Sequence, residues 1–317
     1  MPEGCYVGID TSNYTTSVAL ALENGSVIAN LKLPLTVKEG GRGLRQSDAV
    51  FAHVKNLPVL MRELEALLKG YRLCGVGVSS RPRDAKDSYM PCFLTGEVAA
   101  QALAAGLGAP VHRFSHQSGH VMAALYSSGA LNDLLGREFG AFHVSGGTTE
   151  LLLAKPSDTG FSVELLGGSV DLHAGQAIDR IGVAMGLSFP CGPALEQLAM
   201  TNTKKIPKPR ICVREGSCHL SGLENLALDL YHQTNDKALT AAFVLRFLAD
   251  TLAEMAQWLR RSYGELPLLF SGGVMSNRII ATELKTRLGA AYFAEPAFSA
   301  DNAAGIALLC RAQALKA

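Results

Sequence analysis

Phe142-His143-Val144-Ser145-Gly146-Gly147-Thr148-Thr149 is a short apolar strand running into a Ser-Gly-Gly turn, and Glu150 to Ala154 returns as a second strand. The chain opens on the same plan. Cys5 to Asp10 is an apolar strand, Asp10-Thr11-Ser12-Asn13 is a polar turn, and Thr16 to Leu22 returns. Each half then adds a third strand, at about residues 26–35 and 161–166, before helices and strands alternate. Helices are expected after Ser47-Asp48, interrupted at Pro58 and stopped at Gly70, and over 94–106, 174–186, 192–201, 237–263, 277–288 and 301–315. Short strands are expected at Val76 to Ser79, Val111 to Phe114, Leu268 to Phe270 and Ala291 to Phe293. The expected fold is α/β, with two duplicated lobes, 1–115 and 116–317, around a nucleotide cleft, and with the last helix packing back on the first lobe. A single doubly wound sheet is the competing architecture.

Bulk properties narrow the function classes. The 317 residues are 48% hydrophobic with mean hydropathy +0.17, enough for two domains with cores that need no disulfide staples. Net charge is +1, so any nucleic-acid contact has to be a local patch. The seven cysteines form no Cys-x-x-Cys pair, which fits a reducing compartment better than a zinc ribbon or a disulfide framework. The start Met-Pro-Glu-Gly-Cys shows no leader pattern, and no apolar run reaches the roughly 18 residues of a membrane span. A cytoplasmic protein without membrane contact is expected.

Four features carry chemistry. His116-Gln117-Ser118-Gly119-His120 sets two imidazoles at i and i+4, one face of a helix, where they can chelate a divalent metal. The same spacing serves two ordinary histidines equally well. Position 117 is Gln, so no base for peptide hydrolysis is supplied. Asp301 is a candidate third ligand, with an N-cap as its plainer role. The turns Ser145-Gly146-Gly147-Thr148 and Ser271-Gly272-Gly273 offer backbone N–H groups to phosphate, the second of them at a helix start. Asn277 can equally be a plain cap. Asp179 could hold ribose hydroxyls or pair with Arg180, and Pro190-Cys191-Gly192-Pro193 is a sharp turn feeding a helix. Lys204, Lys205, Lys208, Arg210 and Arg214 are a patch for RNA phosphates or simply a solvated loop.

In order, these pieces resemble the tRNA threonylcarbamoyladenosine synthase family, once described as glycoproteases. Gly8-Ile9-Asp10-Thr11-Ser12 is similar to its Gly-Ile-Glu-Thr-Ser, and His53-Val54-Lys55-Asn56-Leu57-Pro58 to its His-x-x-Asn-Leu-Pro. Val144 to Leu151 resembles its Val-Ser-Gly-Gly-His-Thr-Gln-Leu, and Ala174 to Arg180 its Ala-Gly-Glu-Ala-Phe-Asp-Lys. Pro190 to Leu195, Leu220 to Glu224, Gly272 to Asn277 and Asp301-Asn302 match further motifs. The resemblance implies an actin-like ATPase fold, the architecture of actin, hexokinase and heat-shock ATPases. It implies one divalent metal, iron or zinc, on His116, His120 and Asp301. It places ATP, AMP or an acyl-adenylate on Ser145, Gly146, Gly147, Thr148, Asp179, Gly192, Gly272, Gly273 and Asn277. The implied activity is transfer of threonylcarbamoyl from threonylcarbamoyl-AMP to N6 of a tRNA adenosine. The implied partners are tRNA, taken by Lys204, Lys205, Lys208 and Arg210, and an actin-like partner subunit.

The departures from the family lie at the start of the chain. The family's Cys-Asp-Glu-Thr becomes Asn13-Tyr14-Thr15-Thr16, which removes the acid held to be catalytic and leaves Asp10 as the candidate. Its Gly-Pro-Gly-Leu loop becomes Ser80-Arg81-Pro82-Arg83-Asp84-Ala85-Lys86, and its His-Gly-Gly-Val-Val-Pro-Glu becomes Glu39 to Arg45. Thr148 replaces a His and Glu224 a Lys. A divergent paralogue is the resulting expectation. Carbamoyl-type transfer to another acceptor, or non-catalytic binding of nucleotide and metal, are the alternatives to the family reaction.

Overall fold

The computed structural model describes residues 2–12, 14–36 and 44–316. The first elements are β1 (Gly4–Ser12), β2 (Thr15–Leu22), β3 (Val27–Pro34), α1 (Gln46–Leu68), β4 (Arg72–Arg81), α2 (Phe93–Leu107), β5 (Val111–Ser115), α3 (His116–Ser127) and α4 (Leu131–Leu134). Then follow β6 (Phe139–Val144), β7 (Thr149–Ser157), β8 (Gly160–Gly168), α5 (Ala174–Ala184), α6 (Gly192–Met200), the two-residue strands β9 (Val213–Arg214) and β10 (Ser217–Cys218), α7 (Ser221–Thr234) and α8 (Lys237–Tyr263). The chain ends with β11 (Leu268–Ser271), α9 (Arg278–Leu288), β12 (Ala291–Phe293), α10 (Pro296–Ser299) and α11 (Ala304–Ala314).

Two five-stranded sheets repeat one plan, β3-β2-β1-β4-β5 and β12-β11-β6-β7-β8. In each, an antiparallel meander adjoins parallel strands: β1 pairs antiparallel with β2 and parallel with β4, and β6 pairs antiparallel with β7 and parallel with β11. The duplication expected from the two strand-turn-strand openings is therefore present in the topology. The competing single doubly wound sheet is not what forms.

The chain divides into two compact units. The first comprises residues up to Arg137, Lys155–Val163 and from Ala297 onward; the second comprises Glu138–Ala154 and Glu164–Pro296. The edge of the first unit thus falls after Arg137, and α3 lies within it, where the sequence suggested a division at residue 115. In the first unit every residue of β1 is buried. Val7, Ile9, Val18 and Leu20 pack with Leu57, Leu60 and Leu64 of α1, and α11 packs along β1, β2 and β4. Helix α1 runs unbroken through Pro58, so the expected interruption there does not occur. Its missing N–H removes one ladder bond in a helix whose Leu57, Leu60 and Leu64 are buried in the core.

In the second unit α8 is the central column. Asp236 caps it by accepting a hydrogen bond from the Leu239 N–H at 2.9 Å. Phe243, Phe247 and Leu248 of this helix join Phe142 and Phe270 in one core, the latter two rings stacked with centroids 4.7 Å apart. No helix among the described residues is long and apolar enough to cross a membrane.

Candidate functional site

Helix α3 starts immediately after β5, and the Ser115 hydroxyl caps it by accepting from the Ser118 N–H at 3.0 Å. That start puts His116 and His120 one turn apart on the same face. Their Nε2 atoms lie 3.0 Å from each other. Asp301 Oδ1 stands 3.2 Å from His120 Nε2 and 3.6 Å from His116 Nε2. One ligand atom from each of the three residues falls within 4.8 Å of the others, all inside the first unit. Two imidazoles and a carboxylate suit zinc or iron(II).

Asp301 reaches this place through helix packing. Gly305 of α11 approaches Gly119 of α3 so closely that a Cβ at 305 would stand 1.8 Å from the Gly119 carbonyl oxygen. Asp301 lies three residues ahead of α11 and does not cap it, contrary to its plainer sequence role. Ala303 holds the cap position, and the Asn302 Oδ1 before it accepts from the Ala304 N–H at 3.1 Å.

Asp10 completes the cluster from below. It is 1% exposed, with Oδ2 2.6 Å from His116 Nδ1 and Oδ1 accepting from the Ser79 hydroxyl at 2.8 Å. Burial disfavours a charged His116, but Asp10 and Asp301 outweigh it and push the imidazole up to about 10. Burial likewise works against a charged Asp301, yet hydrogen bonds from the two histidines hold its carboxyl well below the usual range. A divalent cation competes with the proton for these donors.

The second unit holds a pocket of about 500 Å³. Gly146, Asp179, Gly192, Gly273 and Asn277 line it. Ser145, Gly147, Thr148 and Gly272 do not line it. They build the turns: Ser145 N–H donates to the Thr148 carbonyl at 2.7 Å, and Gly147 N–H to the Ser145 hydroxyl at 3.3 Å. Gly272 has φ +99°, and a Cβ there would stand 2.3 Å from the Val144 carbonyl oxygen, which ties the β11 turn to the end of β6.

Asp179 does not pair with Arg180, whose guanidinium goes to Glu224 at 3.2 Å. Instead its Oδ1 accepts from the Cys191 N–H at 2.8 Å, joining α5 to the Pro190–Pro193 turn. Asn277 caps α9 through the Ile280 N–H, and Glu196 Oε1 takes the Arg278 N–H at 2.7 Å. The start of α9 therefore has two of its donors already engaged, which leaves fewer for an anion than the sequence suggested.

The sequence reading missed Phe189, Ile178, Glu196 and Ser276 as pocket residues. Phe189 is 74% exposed beside Pro190, and the signal legible in the sequence was an aromatic directly ahead of Pro-Cys-Gly-Pro.

Lys204, Lys205, Lys208 and Arg210 are exposed, and Lys204 Nζ pairs with Asp236 at 2.8 Å. Lys208 borders a separate pocket where Arg246 and Arg287 both bind Asp250. Of the rewritten segments, Asn13 and residues 37–43, with Gly40, Gly41, Arg42 and Gly43, lie outside the described residues. Tyr14 is 47% exposed. The loop after β4 is built onto α3. Asp84 binds Arg81 at 2.9 Å and Ser118 at 2.8 Å, and the Pro82 carbonyl accepts from the Gln117 N–H at 3.0 Å.

The profile of the family described as TsaD: tRNA N6-adenosine threonylcarbamoyltransferase matches residues 46–308. The chain belongs to this threonylcarbamoyltransferase family. It is 32% identical to the tRNA N6-adenosine threonylcarbamoyltransferase of Thermus thermophilus, over 95% of this chain and 90% of that one. It is 28% identical to the enzyme of the same name from Bacillus licheniformis, over 88% of this chain and 81% of that one.

Among solved structures, component A of the (R)-2-hydroxyglutaryl-CoA dehydratase of Acidaminococcus fermentans superposes with a TM-score of 0.55 at 15% identity, covering 98% of this chain and 99% of that one. This family member thus has the actin-like ATPase fold expected from its duplicated openings.

Proposed function

We propose that this protein transfers a threonylcarbamoyl group from threonylcarbamoyl-adenylate to N6 of a tRNA adenosine. The observation that carries the reading is the retention of the His116–His120–Asp301 cluster in a chain of this family. His116 Nε2, His120 Nε2 and Asp301 Oδ1 would hold one divalent ion, iron or zinc. When bound, such an ion supplies a Lewis acid for a carbonyl or phosphoryl oxygen. In the second unit, Gly146 and Gly192 leave room for the adenylate against bare backbone, and Asp179 is the acceptor for ribose hydroxyls. Ser145, Gly147, Thr148 and Gly272 support that pocket by shaping its turns, while Gly273 and Asn277 line it. Lys204, Lys205, Lys208 and Arg210 are the proposed phosphate contacts to tRNA, an actin-like subunit is the proposed partner, and the cytoplasm is the proposed compartment.

The test is incubation with ATP, threonine, bicarbonate, an adenylate-forming enzyme and unmodified tRNA, with mass spectrometry of the digested nucleosides. Formation of the threonylcarbamoyl nucleoside is expected. A second reading, transfer from the same adenylate to another acceptor, is favoured by the loop 81–88, whose Asp84 and Pro82 fasten arginine-bearing backbone to the start of α3. Adenylate consumption without nucleoside product selects it. Neither consumption nor product, with metal and AMP still bound, leaves only binding.

A further inference from the structure

Asp10 stands where the sequence offers a catalytic acid, yet its surroundings suit a different task. Its side chain is almost wholly removed from solvent. Both carboxylate oxygens are engaged, one by His116 Nδ1 at 2.6 Å and the other by the Ser79 hydroxyl at 2.8 Å. The backbone around it is fixed as well. Asp10 pairs with Ser17 in the β1–β2 ladder, and the Ser17 hydroxyl donates to the Asp10 carbonyl at 3.4 Å. A carboxylate so placed has no free face for a substrate atom.

What it can do is set the ring of His116. A carboxylate accepts only, so the imidazole donates from Nδ1, and Nε2 is the nitrogen left for a cation. Nε2 is also the atom that faces His120 Nε2 and Asp301 Oδ1. The Phe93 ring, 6.1 Å away and tilted by 50°, bounds the imidazole on another side. Ser79 anchors the far oxygen from β4, the parallel neighbour of β1. The chain of contacts runs Ser79, Asp10, His116, and then the shared ligand position.

We infer that Asp10 is a positioning residue that orients His116 and fixes its donor tautomer for a divalent cation, and that the Ser79 hydroxyl fixes Asp10 in turn. This rests on the reading of His116, His120 and Asp301 as ligands. Carboxylates that hold a ligating histidine in this way are worth roughly 10- to 100-fold in metal affinity.

The test uses the full-length protein with cobalt(II) as probe, read by its visible absorption and by competition with a chelator, and with zinc stoichiometry by elemental analysis. Asp10→Asn keeps the shape but can present an amide N–H to Nδ1. We expect it to bind one cobalt per chain, about 10- to 100-fold more weakly, with a shifted absorption band. Ser79→Ala leaves the carboxylate in place and is expected to weaken cobalt binding less, about 2- to 10-fold.

Unchanged affinity in Asp10→Asn overturns the inference. His116→Ala separates the two layers of the argument: loss of stoichiometric metal there supports the ligand reading, and full retention removes that reading whatever Asp10 does. Thermal unfolding of each variant reports whether it is folded. If Asp10→Asn does not fold, Ser79→Ala decides, and wild-type affinity in that variant overturns the inference.

Discussion

At the residue scale, two aspartates of the second unit do different jobs. Asp179 spends one oxygen on the Cys191 N–H and lines the pocket of the second unit. Asp179→Ala is expected to weaken AMP binding about 10- to 100-fold by calorimetry, the cost of a lost charged hydrogen bond. Unaltered affinity would remove Asp179 from the proposed nucleotide site.

Asp171 is structural. Burial opposes its charge, but the Ser221 hydroxyl and the N–H groups of Leu220, Leu172 and Ser221 hold its carboxyl well below the usual range. Because the folded-state value is depressed, the stabilisation is present above the unfolded value near 4 and fades as pH falls through it towards the folded value. Asp171→Asn is therefore expected to lose stability at pH 7 and to lose less at pH 3, narrowing the gap to wild type. Denaturant unfolding at both pH values measures that gap, and a gap that is constant or wider at pH 3 contradicts the assignment.

At the element scale, the metal-type cluster depends on α11 lying against α3. Gly305 and Gly119 form the closest approach, with no room for a methyl group between them. Gly305→Ala must part the two helices. Overpacking of this kind costs about 1–3 kcal/mol, and the same displacement moves Asp301 away from His116 and His120. A lower melting temperature together with weaker zinc binding is the expected pair of results. Destabilisation with wild-type zinc affinity would show that Asp301 is placed by other contacts. Neither glycine advertised this role in the sequence. A helical glycine reads as a weakness until the backbone that a side chain would strike is known.

At the scale of the whole molecule, the cysteines report how tightly both units are packed. Cys5, Cys92, Cys191, Cys218 and Cys310 are buried, and Cys74 and Cys212 are partly exposed. Burial pushes the thiols of Cys5 and Cys92 up to about 11 and that of Cys218 to about 12, so little thiolate forms near neutrality. Titration with a thiol-reactive disulfide should give fast reaction at Cys74 and Cys212 in the native protein and all seven thiols after denaturation. Rapid native reaction at Cys218 or Cys5 would mean that the cores open far more readily than their packing implies.

The sequence alone carried the duplicated strand-turn-strand plan, the helical register of His116 and His120, and the family, because these depend on local spacing and on the order of short motifs. It also offered Asp301 as a candidate third ligand, and the fold brings its carboxylate beside the two histidines. The division at Arg137, the Gly119–Gly305 contact and the pocket roles of Phe189 and Glu196 needed the tertiary structure. So did the place of Asp10. In the sequence it is an acid at a strand end with the reach of a catalyst. In the fold it lies beneath His116 with both oxygens engaged, because β4 brings Ser79 to one side of it and α3 brings the imidazole to the other. A side chain's type is local information, whereas which atoms it faces is set by residues some 70 and 106 positions away in the chain.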